Sequence, residues 1–418
     1  MVRRQRRGGC PVYLLRAGAA ALTAALLTAC SAGRAQLPPP PRTLADPGGF
    51  PIVALQPVWS APVGAVGMAA VSSDGSDVVG VSADTAGNAE PWAFTAGGMP
   101  IPLQGAQGTD LFALPAGLVA VGPGVSDPPT PTSIFSLGGG PLWSISTTIG
   151  PVGVAADPTA SRIIVLDAGS GSAVEVAREG TALGALAAPA LGTLGAAGAV
   201  SFDDNGDALL VNAQGATLIS AAGSTRWHLA LAMSGVQYSV QLAPSGASLV
   251  AATAGASPAL YGFVAAGGPP RPTWERALPP GGTDVVAADA NGRALLIGVG
   301  NTATVAVYRT SDGSRLWEDT LPTVAGAVPP SVTAAVMAPG GQVVLAAQNC
   351  LFNGEGCLLF MNAAGWPTGV MPLPVGTQVA LAANGRVAVL TGDPTVGPRQ
   401  VAWFDLPPAP GRSATSNP

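Results

Sequence analysis

Short apolar runs broken by glycine-bearing turns recur along most of the chain, a pattern that predicts strands joined by tight hairpins and no long helix. One such unit is Met68-Ala69-Ala70-Val71, the turn at Asp74-Gly75, then Val78-Val79-Gly80-Val81. Val200-Ser201-Phe202 with Asn205-Gly206 and Leu209-Leu210-Val211 is another. Val285-Val286-Ala287-Ala288 with Asn291-Gly292 and Leu295-Leu296-Ile297 is a third. The same unit is readable around Gly117, Thr159, Gly246, Gly340 and Gly385. These eight turns lie 42, 42, 47, 40, 46, 48 and 45 residues apart. The interval exceeds what one hairpin needs and suits four strands per repeat, as in a β-propeller blade.

A second hairpin follows each first one, and tryptophan marks its outer strand in Pro141-Leu142-Trp143, Thr225-Arg226-Trp227, Pro272-Thr273-Trp274 and Arg315-Leu316-Trp317. Trp59 and Trp366 continue the ladder, with weaker copies near Ile101 and Leu183; Trp92 does not fit it. One bulky ring per repeat predicts packing between neighbouring blades rather than a sugar-stacking platform. The order of the marks also says how the ring closes. Trp59 precedes the first inner hairpin, while the last, at Gly385, is followed only by a third strand, Gln400-Val401-Ala402-Trp403-Phe404. The stretch Ile52 to Ser60 is therefore expected beside Trp403 as the missing fourth strand, leaving no open edge where the chain ends meet. The expected fold is all-β, an eight-bladed propeller of four-stranded antiparallel blades over residues 51–406. Seven blades is the alternative, because the second and third copies are the least regular.

Gly139 with Trp143, Gly223 with Trp227 and Gly313 with Trp317 share a Gly-x-x-x-Trp turn. In this the chain resembles the quinoprotein-like, or PQQ-like, repeat family of propellers. The family's aspartate upstream of that glycine is missing, so the resemblance concerns architecture. Its dehydrogenases hold their cofactor with an adjacent cysteine pair and a calcium site, and no Cys-Cys dipeptide occurs here. No cofactor is expected.

The first 29 residues read as a signal peptide: Arg3, Arg4, Arg6, Arg7 and Arg16 without an acid, then an Ala/Leu stretch too short to span a bilayer. It ends in Leu27-Thr28-Ala29-Cys30, which resembles the lipobox of bacterial lipoproteins. That resemblance implies acylation of Cys30 and stable anchoring through two buried chains. Residues 30–50 include Pro38-Pro39-Pro40-Pro41 and are expected to form a polyproline-rich linker, with residues 407–418 a flexible tail. The nearest functional analogy among such propellers is the lipoprotein subunit of the bacterial outer-membrane assembly machinery.

Removing the signal takes five arginines and no acid, so the formal charge falls from −5 to −10. The chain has no lysine and no arginine cluster beyond the signal, which argues against nucleic acid as a partner. Charged residues make up only 10% of the chain against 48% apolar, and its 57 glycines and 41 prolines are scattered between apolar runs. A disordered chain is excluded.

Two cysteines remain after Cys10 leaves with the signal and Cys30 is acylated. Cys350 and Cys357 flank an Asn353-Gly354 turn between apolar strands, so they can face each other across a hairpin as a disulfide, which an exported protein can keep. Closing a loop of about eight residues stabilises by about 2.5 kcal/mol.

Catalytic chemistry is hard to build from what is left. His228 is the only histidine and sits beside Trp227 in a predicted strand. No Gly-x-Ser-x-Gly elbow accompanies any serine. Asp203-Asp204-Asn205-Gly206-Asp207 is the densest oxygen cluster, but it lacks the distal glutamate of a calcium loop and falls where a hairpin turn is expected. Asp74 and Asp77 around Gly75 read the same way. The run Ala182 to Val200 is apolar, yet Pro189, Gly192, Gly195 and Gly198 break it at a blade boundary. No catalytic or metal-binding residue is expected. These features point to a lipid-anchored extracytoplasmic propeller, held at a bacterial cell membrane or outer membrane, that presents loops to an envelope protein partner. The alternative is an extracytoplasmic enzyme or small-ligand binder using acids near the central channel.

Overall fold

The computed structural model describes residues 42–406 apart from 45–48, 63–64, 72–76, 84–88, 96, 107, 109, 124–129, 138–139, 147–150, 168–171, 186–198, 213–214, 231–236, 244–248, 255–257, 264–271, 279–282, 290, 299–302, 323–327, 339, 352–354, 375–376, 383–386 and 392–399. The expected signal peptide, Cys30 and the expected tail at 407–418 thus lie outside the described residues, as do Asp74, Gly75 and residues 186–198 of the apolar run from Ala182 to Val200.

Among the described residues there is no α-helix, and the strands form a propeller arrangement of four-stranded antiparallel blades. Two short strands come first, β1 (Arg42–Thr43) and β2 (Trp59–Pro62). The next three sheets each run in chain order. They are β3 (Ala65–Val71), β4 (Asp77–Ala83), β5 (Ala89–Thr95) and β6 (Pro100–Pro102); β7 (Asp110–Leu114), β8 (Leu118–Gly122), β9 (Thr132–Ser136) and β10 (Pro141–Ile145); and β11 (Pro151–Ala156), β12 (Arg162–Asp167), β13 (Ser172–Ala177) and β14 (Ala182–Ala185). Two more follow: β15 (Ala199–Phe202), β16 (Ala208–Asn212), β17 (Gly215–Ile219) and β18 (Thr225–Ala230), then β19 (Gln237–Leu242), β20 (Leu249–Ala254), β21 (Ala259–Phe263) and β22 (Trp274–Ala277). The sixth holds β23 (Thr283–Ala288), β24 (Arg293–Gly298), β25 (Thr304–Arg309) and β26 (Arg315–Thr320), and the seventh β27 (Ser331–Met337), β28 (Val343–Gln348), β29 (Gly356–Met361) and β30 (Pro367–Leu373). The eighth has three consecutive strands, β31 (Gln378–Leu381), β32 (Val387–Thr391) and β33 (Gln400–Asp405), and takes β2 as its fourth. β2 lies antiparallel to β33 with Trp59 opposite Trp403, where the repeat arithmetic places it.

The first strands of successive sheets touch one another in chain order from β3 to β31, and β31 touches β3. Second and third strands are the most deeply buried, as their unbroken apolar sequences require when both faces are covered; β8, β17, β21 and β29 are buried throughout. The core is accordingly divided into layers, each between two neighbouring sheets. Ile164, Leu166, Leu210 and Ile219 fill the layer between the β11–β14 and β15–β18 sheets. Leu345, Leu359, Val305 and Val307 fill the one between the β23–β26 and β27–β30 sheets.

Residues 30–50 are expected to be linker, but the chain joins the propeller already at Arg42. β1 pairs in parallel with β26, Arg42 opposite Asp319 and Thr43 opposite Thr320, as a fifth strand on that sheet. Leu44 is buried and Phe50 packs on the same core, so two apolar side chains find burial that a solvated polyproline stalk would deny them. The segment then bridges Ile52 to Val370 on β30, with Val53 N–H donating to Val370 C=O at 2.8 Å, before entering β2. It thus straps the outer edges of three successive sheets.

Candidate functional site

Polar side chains gather at two places in the described structure, the hairpin turns and the junctions between sheets. In three of the described sheets the turn joining the first two strands is built on an aspartate. Asp203 Oδ1 accepts from the N–H groups of Asn205 and Asp207 at 2.9 and 2.8 Å. Asp289 does the same for Asn291 and Arg293, and Asp157 for Ser161. An Asx turn leaves the next residues free to bend, and Gly206 and Gly292 take φ of 82° and 74° there, a region open to glycine at little cost. Asp207, the last acid of the oxygen-rich cluster, accepts from Ala221 N–H at 2.8 Å and pairs with Arg226 at 2.9 Å. The Asp203 and Asp207 oxygens of that cluster thus hold two turns of one sheet together. Among the described residues no three His, Cys, Asp or Glu side chains gather in a way that could hold a metal ion.

His228 stands opposite Thr217 in the β17–β18 ladder, its Nδ1 2.9 Å from the threonine hydroxyl. It has a cross-strand role. Cys350 and Cys357 are joined by a disulfide, with Cα atoms 6.1 Å apart and both side chains buried. Cys357 sits on β29 opposite Ala347, so the bridge ties the β28–β29 connection to the sheet. The Asn-Gly turn between the two cysteines lies outside the described residues.

The tryptophan ladder joins neighbouring sheets. Trp143 Nε1–H donates to the carbonyl of Arg178 at 2.9 Å, Trp274 to Thr310 at 2.8 Å and Trp317 to Ala363 at 3.2 Å. Each acceptor lies in the turn between the third and fourth strands of the following sheet. The glycine in that turn receives the ring. A Cβ placed on Gly180 would lie 2.6 Å from Trp143, one on Gly313 2.5 Å from Trp274, and one on Gly98 2.7 Å from Trp59. All three glycines have positive φ. In the Gly313–Trp317 copy the two residues make different contacts: Gly313 accepts Trp274 of the sheet before it, and Trp317 donates into the sheet after it. Trp92, which the ladder leaves out, lies on β5 opposite Pro102 and packs in the layer that Trp59 joins.

Sequence reading missed one junction. Leu183 stands where the ladder would place a tryptophan on β14, and the contact is made instead by a buried ion pair between Arg162 and Glu175. Arg162 Nη1–H donates to Gly206 C=O of the next sheet at 2.7 Å, and its guanidinium lies 5.7 Å from the centre of the Phe202 ring. The Glu175 carboxylate reaches the turn glycine of that sheet, 3.4 Å from a Cβ placed on Gly223. The absent tryptophan was the available signal.

Neither any protein family nor any curated protein sequence matches the chain. Among solved structures, a chain from the "Crystal Structure of Mitotic Checkpoint Complex" superposes with a TM-score of 0.48 at 11% identity, over 88% of this chain and 99% of that one. A chain from "Kuenenia stuttgartiensis Hydrazine Synthase" superposes with a TM-score of 0.50 at 13% identity, over 72% of this chain and 98% of that one. The second likeness concerns the fold alone.

Proposed function

We propose that the eight sheets are the blades of a single closed ring, with β2 as the closing strand, and that this ring is a lipid-anchored scaffold of the bacterial cell envelope. In this reading Cys30 carries the lipid, the propeller lies outside the cytoplasm, and loops on one ring face bind an envelope protein without catalysing a reaction. The observation that carries the reading is where the buried polar chemistry is spent. Asp157, Asp203, Asp207, Asp289 and Glu175 are buried, and each is engaged in shaping a turn or joining strands and sheets. A catalytic or ligand-gripping set would leave such groups converging on a shared space. The kinship with PQQ-like repeat lipoproteins belongs to the same proposal, supported by the Gly-x-x-x-Trp spacing and the geometry it produces.

The test is in cells. Wild type and Cys30→Ser are expressed with a metabolic palmitate label, fractionated and cross-linked, and the products identified by mass spectrometry. The reading expects label and membrane retention in wild type only, with a discrete envelope protein cross-linked to residues of the loop face. Soluble, unlabelled wild type would remove the anchor, and turnover of a small molecule by the purified ring, lost on replacing an inner-strand acid such as Asp110, would favour the enzyme alternative.

A further inference from the structure

The register of the strands fixes where each indole enters its junction. Just after a bulge in the fourth strand, Trp143 stands opposite Ile134, Trp227 opposite Leu218 and Trp317 opposite Val307. Spacing along the chain puts Leu183 and Trp366 at the ladder position of β14 and β30. The same bulge instead places Gly184 there, opposite Glu175, and Gly369, opposite Phe360. Two sheets therefore present a glycine where the other six present a bulky apolar side chain. At Gly369 another part of the chain takes the space. A Cβ there would lie 2.4 Å from Val53 Cγ2. The extended segment carrying Val53 pairs with the outer edge of β30 through Val370, whose N–H donates to Pro51 C=O and whose C=O accepts from Val53 N–H. No described strand does this for β14, the outermost of its sheet.

The turn that would receive a ring at Gly184 is open too. Gly313 is buried and Gly98 and Gly180 are half-buried beneath their tryptophans, whereas Gly223 is exposed. Among the described residues a Cβ on Gly223 would meet only Glu175, at 3.4 and 3.9 Å, so the ion pair reaches this turn from its buried side and leaves the other uncovered. Two acceptors there lack a donor. In each indole junction the acceptor follows the residue whose C=O takes the turn glycine's N–H: Arg178 after Ala177, Thr310 after Arg309, Ala363 after Asn362. Gly223 N–H donates to Ser220 C=O, so Ala221 C=O is the equivalent, and no described donor reaches it. Glu175 Oε1 accepts from Arg162 Nε, while Oε2, the oxygen nearer Gly223, has no described donor.

We infer that this junction is a docking site for an extended segment of a second protein, which adds in parallel to the outer edge of β14 and lays a tryptophan ring on Gly223. The site is on the outer edge of a sheet rather than on a loop face, and it stands whether or not Cys30 is acylated. Three observations identify the occupant. First, the strap shows how this fold closes the same gap: an added strand bonds through the residue after the glycine. On β14 that residue is Ala185, opposite Val174 as Val370 is opposite Leu359. Second, β14 reads Ala-Leu-Gly-Ala, and among the eight fourth strands it alone carries neither a proline nor a charge. Those are the devices that ordinarily keep an edge from pairing, so this edge is open to strand addition. Third, the two acceptors select the side chain. A hydrocarbon group would cover Ala221 C=O and Glu175 Oε2 without pairing either, whereas an indole brings an N–H and reaches Ala221 as its counterparts reach Arg178, Thr310 and Ala363. All eight tryptophans of the chain lie among the described residues, so no undescribed segment can supply the ring.

The test selects a phage-displayed library of short random peptides against the purified full chain. Wild type should enrich peptides in which one tryptophan is flanked by β-branched residues, and changing that tryptophan to phenylalanine should weaken binding about tenfold. Ala185→Pro removes the outward N–H and leaves the β13–β14 ladder in place, so it should abolish binding with a urea midpoint close to wild type. Gly184→Trp supplies the ring from within the chain and should abolish binding with a midpoint no lower than wild type. No enrichment, enriched peptides without tryptophan, or undiminished binding to Ala185→Pro would overturn the docking site. A concentration-dependent oligomer in light scattering that Trp366→Ala dissolves would give the gap to a second copy and also overturn it. The selection needs neither lipid nor an envelope extract, so its failure leaves the anchored scaffold standing, and a soluble, unlabelled chain in cells leaves this site standing.

Discussion

Two junctions of the propeller solve one problem with opposite chemistry. Between the β19–β22 and β23–β26 sheets, Trp274 lays its ring on Gly313 and donates its N–H to Thr310 C=O, and Arg276 adds bonds to the carbonyls of Asp312 and Gly313. Between the β11–β14 and β15–β18 sheets the same turn position meets Glu175, with Arg162 spanning to Gly206. The indole is mostly hydrocarbon and needs one acceptor for its single N–H, so burying it is favourable once that acceptor is present. The ion pair must recover the hydration lost by two charges, and its Nη2 has no partner in the structure. The comparison teaches that the repeat demands a filled space beside a turn glycine, and that either an indole or an ion pair can fill it.

The sharpest way to break the comparison is to empty the space at an indole junction. Trp317 is the ladder member most completely buried, at 4% exposure. Trp317→Ala should cost about 3–5 kcal/mol, read as a drop in the urea midpoint. Trp143 is only half-buried, and Trp143→Ala should cost less than half as much in the same measurement.

At the ionic junction the expected pattern is different in kind. Glu175→Ala leaves Arg162 buried without its carboxylate and should cost about 3 kcal/mol, close to the indole deletion. The double variant Arg162→Met, Glu175→Leu should recover most of that loss, because no charge then remains to be buried. No paired substitution of this type can rescue Trp317→Ala. A double variant no more stable than Glu175→Ala would mean that the pair does more than fill the junction.

Much of this architecture is written openly in the chain, and the parts that are not share a cause. The outermost strands begin within a few residues of 59, 101, 143, 183, 227, 274, 317 and 366 because the ladder is a period of one bulky ring per repeat, visible without any contact being known. The pairing of Trp59 with Trp403 follows from counting, since a missing fourth strand at one end and a spare one at the other leave a single solution. The Arg162–Glu175 junction was hidden because its two residues lie on adjacent strands of one sheet while their acceptor, Gly206, is 44 positions from Arg162 on another. The strap at Arg42 and Leu44 was hidden by its composition. A proline-rich stretch looks solvated, and only the bare edge of β26 gives those two backbone positions a partner. Cys30 and the signal lie outside the described residues, and their reading stands on the sequence.

The turn glycines allow a finer version of the same contrast. Gly313 and Gly223 both have positive φ, 65° and 79°, so alanine at either carries a comparable backbone cost of about 1 kcal/mol. At Gly313 the added methyl also meets the Trp274 ring at 2.5 Å, whereas at Gly223 it meets a carboxylate oxygen at 3.4 Å, the far end of a flexible side chain. Gly313→Ala should therefore exceed Gly223→Ala by about 1–2 kcal/mol in thermal or urea unfolding. Equal losses would show that the ring yields as readily as the carboxylate and that the indole junction is looser than its geometry implies.

The smallest effect concerns the turns themselves. In the indole-bearing turn, Asp312 accepts from Ser314 N–H at 2.8 Å and from Arg309 at 3.3 Å, and hydrogen bonds from Ser314 hold its carboxyl below the ordinary 3.8, with Arg309 adding to the shift. In the turn that meets Glu175, Ser220 and Ser224 make the equivalent closure through hydroxyls 2.7 Å apart, which have no proton to gain in acid. A carboxyl whose folded value is lowered binds its proton more readily in the unfolded chain. Its stabilisation is present in full above the ordinary value and disappears as pH falls through the lowered one. Asp312→Asn should thus lower stability slightly near neutrality and make no difference at a pH well below 3.8, whereas Ser220→Ala should lower it by the same amount at both. Urea midpoints of the two variants and wild type, followed from neutral pH down into acid, read that difference directly. A gap between wild type and Asp312→Asn that stays constant on acidification would mean that the carboxylate acts in this turn only through its shape.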